Sequence, residues 1–274
     1  SEDSEANLMD TFNRIVNGFD SLNRVTFIQD FRGTYSFIDE VNGTKGTSID
    51  FINDSYQSTA NAYAIILQSE DAYNKVLQFF DDGAADLIDL SHKFTAGAQT
   101  TTGTIEYWMK ISDVTQTVEC DLFNTGKTKS GPAWFIAADK IQYDYAGGPY
   151  DATGGAVTDD IWMHIKFLFD IVAQTYDFHL NEVLLDADIP FQSAAVTELE
   201  YLYFFKSSAT HIVYYDAIGF SWDSDYTIGD NYPAYSKPSV LVYITLKYSN
   251  IAFENGKTKR WYQDIYLDVE WSTE

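Results

Sequence analysis

GTIEYWMKISD, residues Gly103 to Asp113, reads as a half-buried β-strand. Ile105, Tyr107, Met109 and Ile111 fall on one face while Thr104, Glu106 and Lys110 fall on the other, the period-2 pattern of a strand with one side on a core. Trp108 alone interrupts the polar face. Further along, DIWMHIKFLFDIVAQTYDFHLNEVLL, Asp160 to Leu185, reads as a hairpin. In it Ile161, Met163, Ile165, Phe167 and Phe169 alternate inward, Tyr176, Phe178 and Leu180 answer on the return strand, and Asn181-Glu182 begins a tight turn. VYYDAIGFSWDSDYTIGDN, Val213 to Asn231, is a third strand that runs out into an acidic loop.

In this order and spacing the three stretches resemble a concanavalin A-like jelly roll of the laminin-G-like kind. Its hallmark is a W-x-K strand, then a W-x-H/R strand running into a short turn, then a closing strand that carries an aspartate. Here those positions read Trp108-Met-Lys110, Trp162-Met-His164 and Asp216-Ala-Ile218. The run Tyr73 to Phe94 is similar to the early part of such domains and extends the resemblance upstream. The resemblance implies an all-β, concanavalin A-like antiparallel β-sandwich, a jelly roll, and structural roles for Trp108 and Trp162. It specifies fold far better than activity.

Residues 1–24 follow a different rule. Leu8, Phe12, Ile15, Phe19 and Leu22 recur at alternating four- and three-residue spacing, which places them on one stripe of a short amphipathic helix. That stripe fits either packing on the chain's own sandwich or a coiled coil that joins protomers into a homo-oligomer. The sandwich is expected over residues 25–222, with strands at Thr34–Ile38, Thr47–Ile52, Ala62–Leu67, Lys75–Phe80, Ala85–Leu90, Trp134–Ala137, Lys140–Tyr145 and Leu199–Lys206. Gly147–Gly155 reads as a glycine-rich loop. Residues 223–239, with two of the five prolines, read as an acidic linker, and residues 240–274 as a C-terminal β-hairpin extension around Asn255-Gly256 or the start of a second module.

Composition narrows the partners. With 41 acidic against 17 basic side chains the formal charge is −24, a field that repels phosphate backbones and anionic lipid, so nucleic acid is not an expected partner. The longest apolar run, Ile161–Phe169, is broken by His164 and Lys166 and is too short to span a bilayer, so no membrane insertion is expected within this chain. Cys120 is the single cysteine and the four histidines lack paired spacing, which excludes a thiolate metal site and an internal disulfide. Asn42-Gly-Thr44 and Asn53-Asp-Ser55 match the N-glycosylation acceptor pattern.

Aromatic residues make up 16% of the chain, and exposed rings beside Asp and Asn suit sugars, which offer C–H faces to stack and hydroxyls to bond. Trp134, Tyr143, Tyr145 and Tyr150 cluster in and before the glycine-rich segment and are expected ligand-binding residues, together with His164 and His179 on neighbouring strands. Asp223, Asp225, Asp230 and Asn231 place three carboxylates and an amide in nine residues, a calcium-ligand composition without EF-hand spacing, and Asp216 is a further candidate for a structural ion or a buried hydrogen-bond anchor. The glucanase motif E-x-D-x-x-E is not present, and no strand carries a basic cleft for uronates. The reading is therefore a non-catalytic extracellular, cell-surface or virion-surface β-sandwich that binds glycan or a protein surface in a larger assembly. A polysaccharide-active hydrolase or lyase on the concave sheet and a purely structural fibre, pilus or capsid subunit are the alternatives.

Overall fold

The computed structural model describes residues 33–57, 62–71, 73–81, 86–145, 148–207 and 210–231, together with two short strands near the C-terminus. The chain divides into two compact units, Gln29–Ala234 and a second made of Ser1–Ile28 and Tyr235–Glu274. In the second unit the short strands Phe253–Glu254 and Lys257–Thr258 pair antiparallel, with Asn255-Gly256 between them in sequence. The helix expected over residues 1–24 lies outside the described residues, as do Val240–Tyr248 and Trp261–Trp271.

The described part of the first unit is all-β. One seven-stranded antiparallel sheet, here sheet A, is built from β1 (Asp54–Gln57), β4 (Ile88–Lys93), β13 (Tyr201–Lys206), β6 (Val118–Phe123), β7 (Ser130–Ala137), β8 (Lys140–Tyr143) and β9 (Tyr150–Ala156), in that spatial order. Sheet B runs β12 (Val183–Pro190), β11 (Thr175–Leu180), β10 (Met163–Asp170), β5 (Thr102–Ile111), β14 (Val213–Phe220), β3 (Tyr73–Asp81) and β2 (Ala62–Glu70). Consecutive strands β3 to β6 alternate between the sheets, and so do β12 to β14, the crossing connections of a jelly-roll sandwich.

Alternation along the strands explains the layers. The inward residues of β5 are fully buried and meet those of sheet A, as the sequence pattern requires. Phe204 of β13 stacks on Tyr215 of β14 at 4.3 Å, and Trp134 of β7 meets Phe178 of β11 edge-on at 5.1 Å. Each such ring contributes about 1.5–3 kcal/mol by leaving water. Tyr176 of β11 also donates its hydroxyl to the Ala133 carbonyl across the sandwich at 2.7 Å, so its polar tip is satisfied inside the core.

The expected hairpin forms, and both residues of its turn, Asn181 and Glu182, have φ near +50 to +65°, as a two-residue type I′ connection needs. Four expectations change. Ile161 precedes β10 and is exposed, so the inward alternation begins at Met163. Thr47–Ile52 is not a strand and begins within a 3-10 turn, Gly46–Ser48, where Gly46 takes φ +54° and curls the chain. Ile49, Phe51 and Ile52 still reach the core from that turn. Thr34–Ile38 makes only an isolated bridge, Tyr35 to Ile218. The expected glycine-rich loop instead carries edge strand β9, paired with β8 through an irregular register.

Candidate functional site

The three opening motifs converge on one surface. Trp108 of β5 lies opposite His164 of β10 on one side and Asp216 of β14 on the other, so the W-x-K, W-x-H and D-A-I residues form a cross-strand row on the outer face of sheet B. That face is polar in sequence yet buried: Glu106 and His164 are fully covered, and Lys110 and Asp216 nearly so. The cover is the acidic segment Ser221–Asn231. The indole N–H of Trp108 donates to the Asn231 carbonyl at 2.7 Å, and the Asn231 amide group donates from Nδ2 to the Ala217 carbonyl at 2.9 Å. Glu106 Oε1 accepts from the Tyr226 hydroxyl and from the Gly229 amide. Gly219 makes room for the Tyr226 ring, since an added Cβ would lie 2.2 Å from Tyr226 Cε1.

Beyond this row Lys110 is held by Glu70 and Asp71, with its ammonium 4.9 Å from the Tyr214 ring centroid. Trp162 stacks on Tyr73 at 3.9 Å and donates to Asp71 Oδ2 at 3.1 Å. Both motif tryptophans thus hold structure together. Asn231, expected as a calcium ligand, has its side chain committed to Ala217 and His164. Asp216 Oδ1 accepts from the Ala217 amide and Asp223 Oδ1 from the Asp225 amide. Asp223, Asp225 and Asp230 do not converge with one another into a ligating group of the kind that Glu106, His164 and Glu182 form.

At one end of the sandwich, between the sheets, lies a cavity of about 360 Å³ lined by Thr34, Tyr35, His92, Thr95, Ala96, Phe220, Trp222, Asp223 and Ser224. Four rings stack nearly parallel, three of them in its lining. Phe51 to His92 is 4.6 Å at 7°, His92 to Phe220 5.5 Å at 10°, and Phe220 to Trp222 5.0 Å at 10°, with Trp222 half-buried at the end of the pile. The His92 Nδ1–H donates to the Phe51 carbonyl at 2.7 Å, which fixes the tautomer and leaves Nε2 as an acceptor without a hydrogen-bond partner. Burial pushes the His92 imidazole down to about 4, so the ring is neutral at physiological pH. The cavity therefore offers aromatic surface, hydroxyls and the Asp223 carboxylate.

A second concavity, about 250 Å³, lies on the outer side of sheet A and is lined by Glu119, Asp121, Trp134, Phe135, Asp144 and Pro149. Glu119 and Asp121 alternate outward from β6 while Val118, Cys120 and Leu122 fill the core. Burial, then the neighbouring Glu119 and Asp144 charges, pushes the Asp121 carboxyl up to about 8; burial and Asp144 raise Glu119.

The expected sugar-binding aromatic residues are divided by strand parity. Trp134 and Tyr143 point into the core, where Tyr143 meets Tyr176 and Phe178. Tyr145 and Tyr150 are half-buried, pack on each other at 5.2 Å, and lie at the sheet A edge. His164 and His179 do share the outer side of sheet B, but Tyr143 belongs to the other sheet and faces inward, so these three do not meet. Tyr35, His92 and Trp222 join the candidate residues only through the fold. Trp222 beside Asp223, at the end of a closing strand, was the available signal; His92 and Tyr35 are brought to it only by sheet packing.

No protein-family model matches the chain, and no curated protein sequence matches it. Solved structures with similar layout include a sialidase, 8% identical, with TM-score 0.48 over 61% of this chain and 16% of that one. Another is a carbohydrate esterase from the Shiga toxin-encoding bacteriophage phi24B, 15% identical, TM-score 0.41, over 61% of this chain and 88% of that one. A third is a carbohydrate-binding module from Bacillus subtilis, 11% identical, TM-score 0.38, over 62% and 96%. The chain thus spans about a sixth of the sialidase it resembles. Among the described residues no helix is long and apolar enough to cross a membrane.

Proposed function

We propose that this chain is a carbohydrate-binding β-sandwich module whose end cavity takes a single sugar ring. The observation that carries the reading is the four-ring stack Phe51–His92–Phe220–Trp222, which ends at a half-buried indole beside the Asp223 carboxylate. A pyranose presents an apolar C–H face to such an indole and several hydroxyl donors to such an acceptor. No lysine or arginine lines the cavity among the described residues, so a neutral sugar suits it better than a uronate or sialate. The same reading places the module outside the cell or on a virion surface, within a larger assembly. A glycan array followed by calorimetry tests it. Binding of a neutral glycan that Asp223→Asn weakens by about tenfold or more, with the melting temperature little changed, is the expected result, and Trp222→Ala, which also strips packing from Phe94, Phe169 and Phe220, should abolish it at a cost in stability. A chain that binds no glycan, or whose binding is indifferent to Trp222 and Asp223, would end this assignment.

A second reading has one specific observation behind it. Glu119, Asp121 and Asp144 share a cleft in which burial and crowding let the Asp121 carboxyl hold its proton to about pH 8, a proton donor of the kind polysaccharide cleavage uses. Release of reducing ends from a polysaccharide panel, lost in Asp121→Asn, would establish it; an inert panel removes it.

A further inference from the structure

On the outer face of sheet B, one ligating atom from each of Glu106, His164 and Glu182 lies within 4.8 Å of the other two, the only such set among the described residues. Glu106 is fully buried, and while its Oε1 takes two donors from the covering segment, its Oε2 has no hydrogen-bond partner and lies 3.7 Å from His164 Nε2. A buried carboxylate oxygen without a donor is costly and aims negative charge into the cluster.

The protonation pattern of His164 follows from its neighbours. Asn231 uses Nδ2 on the Ala217 carbonyl, so its Oδ1 faces His164 Nε2 at 3.0 Å and Nε2 carries the proton. In that tautomer the Nδ1 lone pair is turned toward Glu182 Oε1, 2.9 Å away. A neutral imidazole whose far N–H is fixed by an amide oxygen is also how ligating histidines are oriented. Lys166 holds the other oxygen of Glu182, Oε2, at 2.5 Å and leaves Oε1 turned to the histidine. Glu182 sits in the exposed hairpin turn, so an ion can reach the buried pair from solvent.

We propose that Glu106, His164 and Glu182 form a divalent-cation site. One imidazole nitrogen with two carboxylate oxygens suits a first-row transition ion such as Zn²⁺ or Mn²⁺ better than Ca²⁺, which favours an all-oxygen shell. An ion there would clamp the hairpin turn of β10–β11 to β5, directly under the segment that carries Tyr226, Gly229 and Asn231. The site is separate from the sugar cavity and does not depend on it.

The test uses the full chain, stripped with chelator and titrated with Zn²⁺, Mn²⁺ and Ca²⁺ by calorimetry, with melting temperature as a second readout. One Zn²⁺ per chain is expected, with a chelator-reversible rise in melting temperature. Glu106→Gln changes a buried group and could disturb folding, so Glu182→Gln, at an exposed turn, is the decisive variant: affinity should fall about tenfold or more with the fold intact. Asp223→Ala with Asp225→Ala should leave Zn²⁺ affinity unchanged. Three results would overturn the proposal: no metal-dependent shift, equal affinity in Glu182→Gln, or binding that disappears with Asp223 and Asp225 instead. Nitrogen-15 chemical shifts of His164 that show a proton on Nδ1 with Zn²⁺ in excess would likewise reduce the cluster to a plain imidazolium–carboxylate pair.

Discussion

Replacing Gly219 with alanine should release the segment 221–231 from sheet B, loosening the Trp222–Ser224 wall of the end cavity while leaving every residue of the sheet A concavity in place. The new methyl would start 2.2 Å from Tyr226 Cε1 and 2.4 Å from Cζ, well inside contact distance. Strand β14 cannot retreat, because Gly219 is paired with Glu106 in the middle of the sheet. The ring must therefore leave. With it go the hydroxyl bond to buried Glu106, which costs about 1–3 kcal/mol, and the Asn231 amide bond to the same hydroxyl at 3.2 Å, about 1 kcal/mol more. The sum, about 2–4 kcal/mol, corresponds to roughly 5–15 °C in melting temperature for a unit of this size. Tyr226→Phe keeps the ring and loses only the two hydroxyl bonds, so it should cost somewhat less. Urea denaturation of both variants gives the energies, and hydrogen exchange at the Gly229 amide, which donates to Glu106, reports release of the segment itself. If Gly219→Ala melts with the wild type and Gly229 exchanges no faster, the segment is not held as described.

Two further outcomes follow from buried charge. Asp121 binds its proton more tightly in the folded chain than in the unfolded one, so stability should decline as pH rises from about 4 toward 8, and Asp121→Asn should flatten that limb in a pH series of denaturation curves; an unchanged slope refutes the shift. Lys206 and Asp81 form an ion pair at 2.8 Å with both side chains fully buried, so Lys206→Met should cost about 3–5 kcal/mol, while Lys206→Met with Asp81→Leu should recover most of it. A double variant no better than the single one would mean that the cost lies in packing.

The sandwich was legible because β5, β10 and β11 alternate cleanly and each carries large apolar residues on one face. Strand parity was harder where both faces are aromatic or apolar. In β7 Trp134 and Phe135 are adjacent, and one-residue parity decides which of them enters the core. That is why Trp134 and Tyr143, which read as sugar platforms, are packing residues. Strand β6 alternates Val118, Cys120 and Leu122 against Glu119, Asp121 and Phe123, and three apolar residues opposite an acidic face make a weak signal. The end cavity could not be read from sequence at all, since Tyr35, His92 and Trp222 are brought together by the packing of two sheets across more than half the chain.

The polar face of β5 carries the larger lesson. An alternating strand invites the inference that its polar side is wet, and Trp108 then looks like an exception. Glu106 and Lys110 are as buried as Trp108, because a covering segment and neighbouring strands supply each with a partner: Tyr226 and Gly229 for Glu106, Glu70 and Asp71 for Lys110, the Asn231 carbonyl for Trp108. The sandwich thus has a second interior outside its two sheets, built from hydrogen bonds and ion pairs where the first is built from rings. Segment 221–231 closes that interior at Asn231 and begins at Trp222 and Asp223, in the wall of the end cavity. Its acidic residues read as a metal loop in sequence, but its structural work is done by Tyr226, Gly229 and Asn231, which tie the cavity wall to the cross-strand row that makes the chain recognisable.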